Sequence, residues 1–223
     1  MIRLLRCLAT FLLFVLTPAA FASSNGVVIS QIYGGGGNSG ATIKNDFIEV
    51  FNAGNASISV NGWSVQYAAA AGTSWQVTPL GNITLQPGQY LLVQEQAGAG
   101  GTTSLPTPDA TGNIPLSATA GKVALVNTTT ALTGGSPTSA NIIDFVGFGS
   151  TASFAEGSPT GNPSNTTGVL RANFGCTDTN NNAADFTVVA PNPRNTASPL
   201  HPCNGTFDAP IVTGCPATQV IAG

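Results

Sequence analysis

Short apolar runs broken by turn residues dominate the chain. Segments 27–33, 46–52, 57–60, 64–67, 73–77, 89–94, 122–127, 142–146, 168–171 and 186–188 are rich in β-branched and aromatic residues, and many alternate apolar with polar side chains. That is the pattern of strands, each laying one face on a core. Past residue 16 no sustained run repeats apolar residues at helical spacing. Many short strands with frequent turns predict an all-β antiparallel sandwich with Greek-key connections. A closed barrel is the structural alternative.

Some turns carry their own mechanism. Gln86-Pro87-Gly88-Gln89 predicts a type II turn, because Pro fixes the first central φ and Gly accepts the positive φ that follows. Asn61-Gly62, just before Trp63, reads as a tight turn of the hairpin kind. The run Gly34–Gly37 has no Gly-Lys-Ser/Thr after it, so it is not a phosphate cradle. It reads as a flexible or strained connection between strands. Trp63 is expected as a core aromatic rather than a ligand platform, whereas Trp75 fits either.

The first residues suggest export. Arg3 and Arg6 precede an apolar stretch from Leu8 to Leu16, and Ala20-Phe21-Ala22 offers a cleavage signal. The expectation is a signal peptide over 1–22, a β-sandwich over 23–195 and a Pro- and Cys-containing tail or linker over 196–223. The apolar stretch is short for a bilayer span, so no membrane contact is expected once the leader is removed. The destination is the periplasm or the extracellular medium.

Charge narrows the partners. Outside the leader the cations are Lys44, Lys122, Arg171 and Arg194, against nine Asp and Glu residues. Nucleic-acid binding draws heavily on Lys and Arg meeting phosphates. Strong direct nucleic-acid binding is therefore not expected.

Several segments, in order, resemble the lamin tail domain family. They are Asp46–Asn52, Gly62-Trp63, Leu85–Val93, Asp144-Phe145-Val146-Gly147-Phe148-Gly149, Leu170-Arg171, and Ala184-Asp185-Phe186 with Pro191-Asn192-Pro193-Arg194-Asn195. The resemblance implies an immunoglobulin-like fold. The glycine run and Asp178-Thr179-Asn180-Asn181-Asn182 resemble the bacterial subgroup found at the N-terminus of secreted nucleases and phosphoesterases. In that setting the module is an accessory, and a catalytic domain is implied downstream.

No catalytic residues are assigned. His201 is the chain's single histidine, no serine sits in a Gly-x-Ser-x-Gly elbow, and the acids are dispersed along the sequence. His201 reads as a solvated loop residue. No cofactor is expected, apart from calcium as a possible ligand. Asp178, Asn180, Asn182 and Asp185 place side-chain oxygens through one loop, the donor type hard cations prefer. The competing reading is an Asx-rich turn bonding its own backbone.

Cys176, Cys203 and Cys215 follow the leader. In an oxidising compartment, Cys176–Cys203 would tie the last strand to the tail. Cys215 would then await a partner in another domain or chain. Three function classes remain. One is a secreted non-catalytic interaction module whose partner is a protein, a polysaccharide or a covalently linked downstream catalytic domain. The others are a part of an active secreted nuclease or phosphoesterase, and a surface-adhesion or matrix protein.

Overall fold

A computed structural model describes residues 26–203. The expected leader, most of the tail and Cys215 lie outside the described residues. The strands are β1 Val27–Tyr33, β2 Asn45–Asn52, β3 Ile58–Ser59, β4 Ser64–Ala69, β5 Gln76–Pro79 and β6 Thr84–Leu85, followed by β7 Tyr90–Ala97, β8 Ala110–Thr111, β9 Gly121–Val126, β10 Ile142–Phe148, β11 Gly168–Arg171 and β12 Phe186–Val189. A single helical turn, α1 Asn182–Asp185, and a 3₁₀ turn at Asn173–Gly175 supply the described helix.

The strands form a β-sandwich. One sheet runs β12-β11-β1-β2-β7-β8 and the other β10-β9-β4-β5, with β3-β6 as a separate small ribbon. Pairing is antiparallel except between β7 and β8. Alternation explains the core. Ile48 and Val50 of β2 and Leu91 and Val93 of β7 meet Val65 and Tyr67 of β4 and Val123 and Leu125 of β9. The opposite side of the larger sheet is also covered, with Val28, Phe51 and Tyr90 packing beside Cys176 and Cys203. Trp63 lies in the main core, and Trp75 is buried against the other sheet's outer side with Ala124 and Phe145.

Two turns came out differently from each other. Gly88 has φ +75° and Gln89 N–H donates to the Gln86 carbonyl, as a type II turn requires. The Asn61-Gly62 turn is not a hairpin, because β3 pairs with β6 whereas β4 pairs with β5 and β9. Only Gly62 of the pair has positive φ, so the twist of a type I′ hairpin is missing. The glycine run is a buried junction rather than a flexible loop. A Cβ at Gly34, Gly35 or Gly36 would strike the backbone of Ser117, Asn165 or Asn45. Close backbone approach is what these glycines permit.

Two bulges position the chemistry described next. β1 breaks register between Ile29 and Gln31, and β10 between Ile142 and Asp144. Extra residues at such bulges leave backbone groups without a ladder partner. Here the freed groups of Ile29 turn toward Asp144 and Arg171.

Candidate functional site

Arg171, at the end of β11, is the centre of a buried polar cluster. Its Nε donates to the Ile29 carbonyl at 2.9 Å, and Asp144 Oδ2 accepts from Ile29 N–H at 2.5 Å. The side-chain pair thus satisfies both exposed backbone groups at the β1 bulge. Arg171 and Asp144 also pair directly at 2.8 Å. Arg171 reaches Asp178 at 3.2 Å and lies 3.6 Å from Asp185. Its guanidinium covers the Phe186 ring at 4.6 Å. Burial opposes its charge, but the surrounding carboxylates prevail and raise its pKa.

Sequence reasoning missed Glu156, which stands next to this cluster. It is 3% exposed. Its Oε2 accepts from Asn182, while its Oε1 has no hydrogen-bond partner. Burial pushes its carboxyl up to about 9, and the negative charges of Asp144 and Asp178 add to the rise. Asp144, Glu156 and Asp178 each place an oxygen within 4.8 Å of the others. Nothing near Glu156 in the sequence signals this; the residue lies in a turn-rich loop after β10. The one available hint was an acid within a stretch otherwise free of charge.

The four residues expected to form a calcium loop have different tasks. Asp185 accepts from Thr179 N–H at 2.9 Å and from the Thr179 hydroxyl at 2.6 Å. Asn182 is buried, with its Oδ1 accepting from Gly147 and Glu156 N–H groups and its Nδ2 donating to the Phe145 carbonyl. Those two hold the loop and pin it to β10. Asp178 faces Arg171, and Asn180 has φ +56° with a buried Oδ1 that lacks a partner. Asp178 is the residue shared between the expected set and the carboxylate cluster.

The next segment presents an apolar face. Asn173, Phe174 and Gly175 have successive positive φ values of 50°, 60° and 111°. Bulky residues resist that region. Tyr90 holds the turn by donating its hydroxyl to the Phe174 carbonyl at 2.9 Å. The Cys176–Cys203 disulfide, with Cα atoms 5.4 Å apart, fixes its far side as expected. The result leaves Phe174 59% exposed, with Val189 and Leu200 also open to solvent. Phe174 lines two shallow depressions of about 310 and 360 Å³, one reaching Val189 and the other Leu200. Arg194 lines both; it pairs with Glu49 at 2.6 Å and stacks over Tyr90 at 3.8 Å. His201 is not simply solvated. Its ring sits 4.1 Å from that of Phe174, centroid to centroid, and its backbone N–H donates to the Gly88 carbonyl. Among the described residues, that places the histidine against an aromatic ring rather than in a nucleophile–base pair.

The lamin tail domain profile matches residues 20–150, more than half of the chain. The chain belongs to the lamin tail domain family. A DUF4876 family protein from Bacteroides thetaiotaomicron, solved by crystallography, is similar in fold with a TM-score of 0.51 and 13% identity, over 79% of this chain and 74% of that one. No curated protein matches the chain. The family match stops at the start of the loop after β10, so Glu156, Arg171, Asp178 and Phe174 all lie beyond it within the same sandwich. No described helix is long and apolar enough to cross a membrane, and the disulfide is compatible with an extracellular protein.

Proposed function

We propose that this lamin tail domain is a secreted, non-catalytic interaction module that seats a protein partner on the face around Phe174. The observation that carries the reading is Phe174 itself, an aromatic kept outward in a backbone conformation that disfavours it. Strain of that sort persists where surrounding structure enforces it, and it concentrates at functional positions. An exposed Phe beside an arginine is the aromatic-plus-arginine pairing enriched in protein interfaces, and Val189 and Leu200 widen the apolar area around it. The partner we favour is the catalytic domain of an extracellular nuclease or phosphoesterase to which the module serves as accessory. Cys203 is bonded to Cys176 beside this face, so a domain linked C-terminal to it would have a short path to the face.

Photo-crosslinking in the secreting cell tests the reading. A benzophenone amino acid at position 174 should give a protease-sensitive adduct of one defined size, and one at the exposed Asn61, outside both depressions, should not. Culture fractionation should place the adduct outside the cytoplasm. The same purified chain should leave DNA, RNA and phosphodiesters intact with Mg²⁺, Mn²⁺ or Ca²⁺. A polysaccharide adduct would instead favour an adhesion or matrix role. Metal-dependent hydrolysis lost on replacing the chain's own acids would make it part of an active enzyme.

A further inference from the structure

We propose that Asp144, Glu156 and Asp178 bind one calcium ion beside Arg171, with Asn180 Oδ1 as the fourth candidate ligand. Charge is the first argument. Asp144, Glu156, Asp178 and Asp185 surround a single guanidinium, so cations are outnumbered four to one in a largely buried space. Arg171 spends its bonds on Ile29, Thr177, Asp178 and Asp144, and none reaches Glu156.

The second argument is independent of the charge count. Glu156 Oε1 is a buried oxygen without a hydrogen-bond donor. The Asp144 and Asp178 carboxylates, each with an oxygen within 4.8 Å of a Glu156 oxygen, only accept when ionised and offer it no donor. A bound cation satisfies it directly. Asn180 Oδ1, also buried and unpartnered, lies on the same loop as Asp178.

Geometry selects the ion. All donors are oxygens, which favours hard cations. Two ligands on one ion can lie no farther apart than twice the bond length, which is about 4.6–5.2 Å for Ca²⁺ and about 4.2 Å for Mg²⁺. The carboxylate oxygens fall within 4.8 Å of one another, which is compatible with calcium, and calcium's flexible coordination suits ligands drawn from separate segments better than the near-octahedral demand of Mg²⁺. The site differs from a simple Asx-rich calcium loop. Asn182 and Asp185 build its wall, while Asp144 on β10 and Glu156 after it supply ligands from distant sequence. An ion there would tie β10 to the segment that follows Cys176, next to the turn presenting Phe174. The proposal does not depend on what binds at that face.

The test uses the full chain stripped with EDTA and then given CaCl2 or MgCl2. Calcium at about ten times its Kd should raise Tm on the order of 4 °C. Calorimetry should find one ion per chain, with a Kd on the order of 10⁻⁴–10⁻³ M, as in extracellular modules. Glu156→Gln should fold, because it keeps the shape and an acceptor for Asn182 Nδ2, yet lose both the shift and the binding heat. Glu95→Gln, a buried carboxylate outside the cluster, should keep both. An unshifted wild type without binding heat would overturn the site. So would an equal response to Mg²⁺, or a Glu156→Gln variant that still responds to calcium.

Discussion

Glu49 shows how a single charge can govern the surface of a sheet. It lies on the outer side of β2 and is fully buried beneath the Pro-rich exit. Arg194 supplies two side-chain donors and its own N–H, and Ser30 donates its hydroxyl at 2.6 Å. Burial raises the Glu49 pKa, with Arg194 as the main opposing influence. Arg194→Ala would leave that carboxylate buried and unpaired. We expect a loss of about 3–5 kcal/mol in urea unfolding, the range for breaking a buried pair. Arg194→Lys should lose less, since it keeps the charge but not the forked geometry. If Glu49→Gln is already present, adding Arg194→Ala should cost far less. Equal losses in the two backgrounds would show that the pair is not the cause. Glu95 makes a second residue-scale prediction. Burial raises its carboxyl from 4.5 to about 7, and Oε1 has no partner. The native state therefore keeps a proton that the unfolded chain releases between about pH 4.5 and 7. Stability falls as pH rises through that window, by about 1.4 kcal/mol per unit for this group. Glu95→Gln retains an acceptor for Ile114 N–H and should flatten the fall by about 3 kcal/mol. Parallel wild-type and variant profiles would exclude Glu95 as a source.

At the scale of elements, the strained turn and its disulfide form one device. Cys176 and Cys203 are 27 residues apart, and the loop they close holds α1, β12 and the Pro-rich exit. In the chain-entropy model such a loop contributes roughly 3–4 kcal/mol. The Cys176→Ser/Cys203→Ser variant should lose about that much, and the 173–203 region should exchange amide hydrogen faster than β2 or β7. Uniform exchange would mean that the bond does not anchor this segment in particular. The strands and this disulfide were legible because each rests on local signals: alternation, turn residues and a cysteine pair flanking one segment. Thr84–Leu85 and Ala110–Thr111 were not, since two-residue strands carry no period and form only against partners distant in sequence. The carboxylate cluster was half legible. Asp178 announced itself through its Asx-rich neighbours, whereas Asp144 and Glu156 arrive through a bulge and a long loop that no local pattern encodes. The glycine run misled for a related reason, because crowding by Ser117, Asn165 and Asn45 appears only after folding.

At the scale of the molecule, the decisive quantity is how many cations reach solvent. Lys122 is buried, its ammonium donating to the Gly72 and Gly135 carbonyls and to Ser153. Arg171 is enclosed by carboxylates, and Arg194 is committed to Glu49 and Tyr90. Lys44 is the exposed cation that remains among the described residues. Non-specific affinity for duplex DNA comes from releasing counterions as Lys and Arg neutralise phosphates. One lysine on a surface of net negative charge cannot supply the several contacts that micromolar binding uses. Anisotropy of a labelled duplex at about 50 mM salt should show no saturation up to about 100 µM protein, the weak end of the non-specific range. Adding calcium should not change this if the ion sits among Asp144, Glu156 and Asp178, because a buried ion presents no phosphate site. Saturable micromolar binding that weakens with salt would overturn the charge argument and reassign the module as a DNA grip. Its absence would agree with a surface whose cations are almost all spent inside the fold.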